Sequence, residues 1–199
     1  MHDVCHDNGM DGGFILQGSA WVFGDQLDAD WQICSLDRLA ELKDRGIPLT
    51  AETLGKYCLE GVDREFPQQV SQGDILVAGE NVGYSNACLD GDPEDPHLIG
   101  AASMALKGVG IAAVLCQSAN ATFLRNSLHH GLPVVECREI KGKVRKADIL
   151  RIDLARGLIV NSSTGGQCLF TPYPPFLLEM VRAGGVYAQL DRRGQNGNH

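Results

Sequence analysis

The sequence lacks the cysteine spacing that would hold a metal cluster. Its seven cysteines are scattered along the chain, and no two of them form a C-x-x-C pair. An odd number of cysteines without regular spacing predicts free thiols in a reducing compartment, so we expect a cytoplasmic protein. Iron–sulfur clusters require several thiolates at suitable spacing. We therefore expect this chain to bind no cluster and no other metal itself.

Long apolar runs and an excess of positive charge are missing as well. The longest apolar stretch, Ile111–Cys116, is far shorter than the roughly 20 residues that a membrane-spanning helix needs. The beginning of the chain has several aspartates and no apolar segment, so we expect no signal peptide. Lysine and arginine total 17 against 25 acidic residues, and the net charge of -8 argues against a nucleic-acid-binding surface.

What is present is typical of one globular domain. A chain of 199 residues with 44% apolar and 21% charged residues is long enough to bury a core. We expect flexible tails at 1–16 and 191–199, flanking a single domain at 17–190. Apolar patterning together with glycine and proline positions predicts strands at 18–24, 74–78, 110–116, 134–137, 148–153, 158–161 and 167–170, and helices at 37–45, 54–59, 98–107, 120–130 and 176–182.

The order of these elements predicts an α/β fold. Between residues 74 and 137, strands and helices alternate as a βαβαβ unit, which normally builds a parallel sheet covered by helices. The short strands after residue 148 are separated by tight turns, as antiparallel strands are. We therefore expect a mostly parallel sheet with covering helices, joined to a small antiparallel β portion.

A glycine-flanked turn follows the second predicted strand. The apolar residues Ile75–Ala78 lead into the turn Gly79–Gly83. Glycine has no Cβ and tolerates positive φ, so such a turn lets the backbone approach a ligand closely. We predict that Asn81, Gly83 and Tyr84 contribute to substrate binding.

Four segments of the chain match one known pattern in the same order and spacing. They are Gly24–Asp30 (GDQLDAD), Gly73–Gly83 (GDILVAGENVG), Arg125-Asn126 with His129–Glu136 (HHGLPVVE), and Pro174–Glu179 (PPFLLE) with Ala183–Gly185 (AGG). Together they resemble the small, swivelling subunit of the isopropylmalate dehydratase and homoaconitase family, a branch of the aconitase superfamily. The resemblance covers residues 18–190, nearly all of the predicted domain.

The resemblance implies a β/β/α swivelling domain that docks on a large subunit carrying a [4Fe–4S] cluster. In the family, the two subunits form a hydro-lyase that moves a hydroxyl between adjacent carbons of a substituted malate. This reaction needs a base for a proton, a clamp for the carboxylates and a Lewis acid for the departing hydroxide. The family's small subunit supplies the base and a clamp through a loop with the pattern G-x-G-S-S-R-E-H.

The chain departs from the family at that loop. After Gly83 it reads Tyr84–Cys88 (YSNAC), without the arginine and glutamate of the pattern. A second family arginine, in the pattern S-F-A-R, falls on Ala121. Arginine binds a carboxylate through two parallel charged hydrogen bonds, so the clamp is expected to be largely missing. The inserted loop also carries acidic side chains that would repel a dicarboxylate substrate near the pocket: Asp90, Asp92, Glu94 and Asp95.

Several residues are candidates for catalysis within this altered pattern. Ser85 is the hydroxyl nearest the family's base position and is the predicted catalytic residue; alternatively, it is a turn residue that bonds its own backbone. Asp28 and Asp30 match the family's D-x-D pair, and they either bind substrate or accept backbone N–H bonds within their loop. His97, at the end of the inserted loop, is either an acid or base near neutral pH or a solvated bystander.

Two arginines are predicted to bind substrate. Arg38 lies in the segment that sets substrate preference in the family, and Arg125 could reach a substrate carboxylate or the partner subunit. The acidic run Asp90–Asp95 could bind a divalent metal, but it lacks the spacing of a calcium loop, which favours a solvated loop.

These observations predict the small subunit of a heteromeric hydro-lyase similar to 3-isopropylmalate dehydratase. It would act on a small hydroxy-acid, with an altered substrate, together with an aconitase-type large subunit that carries the [4Fe–4S] cluster. One alternative is a non-catalytic paralogue that keeps the docking surface as a binding or regulatory subunit. Another is a self-sufficient small-acid binding protein.

Overall fold

The computed structural model describes residues 13–84, 100–186 and 188. The strands are β1 (Ile15–Val22), β2 (Ile75–Val77), β3 (Ala113–Cys116), β4 (Val134–Glu136), β5 (Ile149–Asp153), β6 (Leu158–Asn161) and β7 (Gln167–Leu169). The helices are α1 (Leu36–Asp44), α2 (Ala51–Gly55), α3 (Phe66–Gln69), α4 (Ala101–Val109), α5 (Ala121–His129) and α6 (Pro175–Ala183), and a π-helical turn spans Ala29–Ile33. Within these ranges, no helix is both long and apolar enough to cross a membrane.

The strands form one sheet in the order β4-β3-β2-β1-β5-β6-β7. Strands β1 to β4 run parallel to one another, and β5, β6 and β7 continue the sheet in antiparallel pairs. β1 joins the two portions, because it pairs in parallel with β2 on one side and antiparallel with β5 on the other. The predicted α/β fold, with its βαβαβ unit and its antiparallel portion, is confirmed.

The parallel strands are apolar because both faces of the sheet are covered. Every residue of β2 and β3 is buried, as expected for strands between two layers. Successive side chains of a strand point to opposite faces. Leu76 therefore packs in one apolar cluster with Leu106 of α4, whereas Ile75 and Val77 pack in a second cluster with Leu178 of α6.

The sheet is curled, and its two outermost strands come close together. The hydroxyl of Tyr173, which follows β7, donates a hydrogen bond to the carbonyl oxygen of Val134 in β4 at 2.7 Å. The thiol of Cys137, directly after β4, donates to the carbonyl oxygen of Leu169 in β7 at 3.5 Å. Strands at opposite ends of the sheet order are thus joined by side chains.

Two helices differ by more than one residue from their predicted limits. α4 ends at Val109, with Gly110 as its C-cap, rather than before Gly108, which lies inside the helix against α2. A Cβ at Gly108 would stand 1.7 Å from the carbonyl oxygen of Ala51, so this glycine permits the close approach of the two helices. α2 begins earlier than predicted because the hydroxyl of Thr50 accepts a bond from the N–H of Thr53 at 3.2 Å and caps the helix there.

The first strand begins inside the range predicted as an N-terminal tail. β1 starts at Ile15, and its neighbours Phe14 and Leu16 are buried in the cluster beneath β5. Leu16 lies opposite Ile152 in the antiparallel ladder. β1 therefore begins two residues before the predicted domain boundary at residue 17. The predicted tail at 191–199 lies outside the described residues.

Candidate functional site

The candidate site lies where the parallel strands β1, β2 and β3 end. Ligands of α/β proteins bind in the loops beyond the carboxyl ends of parallel strands. The loops after β1 and β2 are joined by backbone bonds from Gly79 N to Gly24 O (3.1 Å) and from Gly83 N to Leu27 O (2.7 Å). The loop after β3 bonds to the loop after β2 at Val82. The three loops form one connected surface, which we call the carboxyl edge.

Gly79 and Gly83 permit close packing between protein atoms. A Cβ at Gly79 would stand 1.7 Å from Oδ1 of Asp25, and one at Gly83 would stand 2.2 Å from Cγ of Phe123. Gly83 also has a φ of 74°, which favours glycine. The sequence predicted that this turn lets the backbone approach a ligand; within the protein the two glycines let it approach Asp25 and Phe123. Substrate binding by Gly83 stays a prediction.

Asp28 caps the π-helical turn. Its Oδ1 accepts bonds from the backbone N–H groups of Asp30 (2.8 Å) and Trp31 (3.0 Å), and its own N–H donates to Oε1 of Gln32 (2.8 Å). Asp28 and Asp30 are both buried. A carboxylate in this position satisfies N–H groups at the start of a helical turn. The geometry supports a loop-stabilising role for Asp28, and substrate binding by either aspartate stays a prediction.

Asn81 and Tyr84 lie on the loop after β2. Asn81 is exposed and has a left-handed backbone with a φ of 55°, and its N–H donates to Oγ of Ser118 at 2.9 Å. The carbonyl oxygen of Tyr84 accepts a bond from the N–H of Ala29 at 3.1 Å, so Tyr84 lies beside Asp28. The predicted residues Asp28, Asn81 and Tyr84 therefore share the carboxyl edge.

The most divergent part of the predicted site lies outside the described residues. This applies to the predicted catalytic residue Ser85 and to His97, the possible acid or base. It also applies to the acidic side chains of Asp90, Asp92, Glu94 and Asp95. Their predicted roles, and the alternatives to them, stay predictions.

Arg38 is held by other protein groups. Its Nε and Nη2 donate to the carboxylate of Glu60 at 2.8 Å and 3.2 Å, and its Nη1 pairs with Glu41. The guanidinium carbon lies 4.5 Å from the centre of the Tyr57 ring, and the hydrogen bond to Glu60 raises the pKa of Arg38. A substrate carboxylate would compete with these partners. Arg125 is exposed on α5, the helix that begins at the carboxyl edge.

The ion pair between Asp25 and Lys141 was not identified from the sequence. Nζ of Lys141 lies 2.7 Å and 3.0 Å from the two carboxylate oxygens of Asp25, which also accepts the N–H of Glu80 at 3.0 Å. The bond from Lys141 lowers the pKa of Asp25, and Asp25 raises the pKa of Lys141. Asp25 belongs to the matched segment Gly24–Asp30, which could have indicated it, but Lys141 stands in no recognisable motif.

Two further polar side chains line the end of β3. Oε1 of Glu136 accepts the N–H of Ala119 at 2.8 Å, and Nε2 of Gln117 donates to the carbonyl oxygen of Arg138 at 3.0 Å. Oε1 of Gln117 is buried and has no hydrogen-bond partner among the described residues. Buried acceptors are normally paired. This atom is therefore suited to accept a bond from a hydroxyl group.

The described residues do not provide a metal-cluster site. Within them, no group of three or more histidine, cysteine or acidic side chains is placed to hold a metal ion. Burial raises the pKa of Cys116 to about 12 and that of Cys58 well above its ordinary value, which disfavours the thiolates that iron requires. The edge instead offers carboxylates, an ion-paired lysine and amide groups, which can bind and orient a small polar molecule.

Several curated proteins are similar to this chain, although no family model matches it. It is 37% identical to the 3-isopropylmalate dehydratase small subunit of Nautilia profundicola, over 86% of this chain and 92% of that protein. It is 33% identical to 3-isopropylmalate dehydratase small subunit 1 of Methanopyrus kandleri and to the isopropylmalate/citramalate isomerase small subunit of Methanocaldococcus jannaschii, in each case over 90% of this chain and 95% of the relative.

A solved structure agrees with these relatives. The crystal structure of the 3-isopropylmalate dehydratase LeuD from Methanocaldococcus jannaschii superposes with a TM-score of 0.75 and 28% identity, over 92% of this chain and 98% of that one. The relatives are named as dehydratase or isomerase subunits, so a regulatory paralogue is not favoured. The chain therefore belongs to the family of 3-isopropylmalate dehydratase small subunits.

Proposed function

We propose that this chain works with an aconitase-type large subunit that carries a [4Fe–4S] cluster. The observation that carries the proposal is family membership along nearly the full length of the relatives, which are themselves named small subunits. A small subunit implies a large partner. The buried and scattered cysteines of the described residues support placing the cluster on that partner rather than on this chain.

The role of this chain in the complex is to bind and orient a small hydroxy-acid at the carboxyl edge. The loops there carry Asn81 and Tyr84, and they lead directly into the inserted segment with Ser85 and His97. When bound to the partner, the cluster would supply the Lewis acid for the departing hydroxide. The residues of this chain would hold the carboxylates and the hydroxyl of the substrate.

The substrate differs from 3-isopropylmalate in this proposal. The sequence has no arginine at the two family positions, and the inserted loop is acidic. Lys141, a cation at the carboxyl edge, is already paired with Asp25, which supports weak binding of a second carboxylate. Losing one bidentate carboxylate contact weakens transition-state binding by about 2–5 kcal/mol, the range for truncating a buried charged pair.

The proposal is tested by assembling the complex. We would co-express the chain with an aconitase-type large subunit, purify the pair by size-exclusion chromatography and measure turnover of 3-isopropylmalate, homoaconitate, citrate and citraconate. A family small subunit that keeps the G-x-G-S-S-R-E-H loop, with its own large subunit, is the activity control. We expect co-elution and poor turnover of 3-isopropylmalate. Separate elution at micromolar concentration would contradict the partnership, and turnover of 3-isopropylmalate equal to the control would contradict the altered substrate.

A further inference from the structure

Two free thiols meet where the ends of the curled sheet come together. Cys137 follows β4, Cys168 lies in β7, and both side chains are buried. The Cys137 thiol donates to the carbonyl oxygen of Leu169 at 3.5 Å and is also in hydrogen-bonding contact with the thiol of Cys168. The two sulfur atoms are therefore neighbours, although they come from strands at opposite ends of the sheet order.

Cys168 also lines a cavity and lies beside a cation. The cavity has a volume of about 530 Å³ and is walled by the segment 140–148 and by strands β6 and β7. Lys143, which also lines it, is in hydrogen-bonding contact with the Cys168 thiol and pairs with Oε2 of Glu139 at 2.8 Å. Lys143 therefore places a positive charge beside the sulfur, where negative charge develops on the departing hydroxide when a peroxide is attacked. A molecule as small as hydrogen peroxide can reach this sulfur through the cavity.

We propose that Cys137 and Cys168 form a reversible dithiol switch, which hydrogen peroxide oxidises to a disulfide and a dithiol reductant restores. The Cys168 sulfur attacks one peroxide oxygen and its thiol proton passes to the departing hydroxide, so that the O–O bond breaks, one water leaves and a sulfenic acid forms. The Cys137 sulfur then attacks the Cys168 sulfur, so that an S–S bond replaces the S–O bond and a second water leaves. The two thiols lose two electrons and the peroxide gains them.

The other described cysteines have surroundings that suit them less well to this reaction. Cys58 lies near Cys34 in the opposite apolar cluster, and burial raises its pKa well above the ordinary value. Burial also raises the pKa of Cys116 to about 12. The pKa of Cys137 is raised as well, chiefly by burial, which fits the second of the two thiols, because it acts only after Cys168 has been oxidised.

The test uses the full-length chain alone and therefore does not depend on the proposed function. The reduced protein is treated with hydrogen peroxide, digested without reductant and analysed by mass spectrometry. We expect a cross-linked peptide pair containing Cys137 and Cys168, which disappears after treatment with dithiothreitol. The urea midpoint of the oxidised protein should rise, because the bond closes the curled sheet covalently.

Matched variants separate the switch from general oxidation. Cys116→Ala should keep the cross-link, whereas Cys137→Ala should lose it and leave a sulfenic acid on Cys168 that dimedone traps. Lys143→Met should slow the cross-link, and Lys143→Arg should preserve its rate. The proposal is overturned if Cys137 and Cys168 stay reduced, or if other cysteines are linked first, in wild-type protein whose circular dichroism spectrum remains native. Because wild-type protein decides this, a variant that fails to fold does not affect the result.

Discussion

The hydroxyl of Tyr173 donates a hydrogen bond of 2.7 Å to the carbonyl oxygen of Val134 and so connects the two ends of the sheet. Val134 belongs to β4, the outermost parallel strand, and Tyr173 follows β7, the outermost antiparallel strand. Burial holds the pKa of Tyr173 above its ordinary range, so the phenol keeps its proton at physiological pH and remains a donor. One side-chain hydroxyl thus contributes a hydrogen bond between the two ends of the curled sheet.

Tyr173→Phe should destabilise the protein by about 1–2 kcal/mol, because a buried carbonyl loses its donor while the ring keeps its packing. Urea unfolding followed by circular dichroism measures this change. The slope of the unfolding free energy against urea should stay the same, since the native surface is preserved. An unchanged midpoint would mean that water replaces the hydroxyl and that this bond contributes little to closing the sheet.

Gly83→Ala should be strongly destabilising, by about 2–4 kcal/mol, because it combines a positive φ with overpacking. The new Cβ would stand 2.2 Å from Cγ and 2.4 Å from Cβ of Phe123, and φ at this residue is 74°. Gly24→Ala is the matched control at the same edge, since a Cβ there would meet no atom within 4 Å. Thermal unfolding of both variants tests the difference. Equal melting temperatures would show that the loop after β2 adjusts to the added methyl group.

The ion pair between Asp25 and Lys141 should make stability depend on pH in a specific direction. Because the pKa of Asp25 is lowered in the folded protein, its contribution is present above the ordinary value of 3.8 and is lost as the pH falls through the folded value. Because the pKa of Lys141 is raised, its contribution is present below 10.5 and is lost as the pH rises through the folded value.

We therefore expect Asp25→Asn to lower the urea midpoint slightly at neutral pH and to have a smaller effect below the ordinary pKa of the carboxyl. Both groups are exposed, so solvent screening keeps the effect small. A double-mutant cycle with Lys141→Met, measured from neutral pH to the lowest pH at which the wild type stays folded, isolates the pair. A coupling free energy between Asp25 and Lys141 that stays the same in acid would contradict the expectation that protonation of Asp25 weakens the pair.

Asp28→Ala should reduce stability by about 1–2 kcal/mol, because the π-helical turn loses the acceptor for two N–H groups. Asp28→Asn should retain most of the stability, since the amide oxygen can accept the same bonds. If Asp28 only stabilises its loop, the Asn variant should also keep the turnover of the assembled complex. A stable Asn variant without turnover would instead support the role in substrate binding that the D-x-D resemblance implies.

The alternation of strands and helices could be predicted from the sequence because short local patterns of apolar residues, glycine and proline indicate each element. Helices α1, α5 and α6 lie within one residue of their predicted limits, and the apolar runs of β2 and β3 follow from burial on both faces. The end of α4 was misplaced at Gly108 because a glycine inside a helix looks like a stop unless the packing of α2 is known.

The site was less predictable because its contacts join distant segments. Asp25 and Lys141 are separated by 116 positions, and no local pattern connects them. The same is true of Cys137 and Cys168, whose contact requires the curl of the whole sheet. Two of the matched family segments, Gly24–Asp30 and Gly73–Gly83, do meet in the fold, since Asp28 pairs with Tyr84 directly after the second segment, but the roles of their residues stay predictions.

The central position of β1 has a consequence for synthesis on the ribosome. This strand leaves the ribosome first among the seven, yet its two partners are β2 and β5, and the ladder with β5 reaches Asp153. Until that segment emerges, one edge of β1 has unpaired backbone N–H and C=O groups and exposes apolar side chains. Pairing between segments so far apart slows folding and prolongs the interval in which nascent chains can associate with one another. Early chaperone contact with residues 15–22 would therefore favour the yield of native protein.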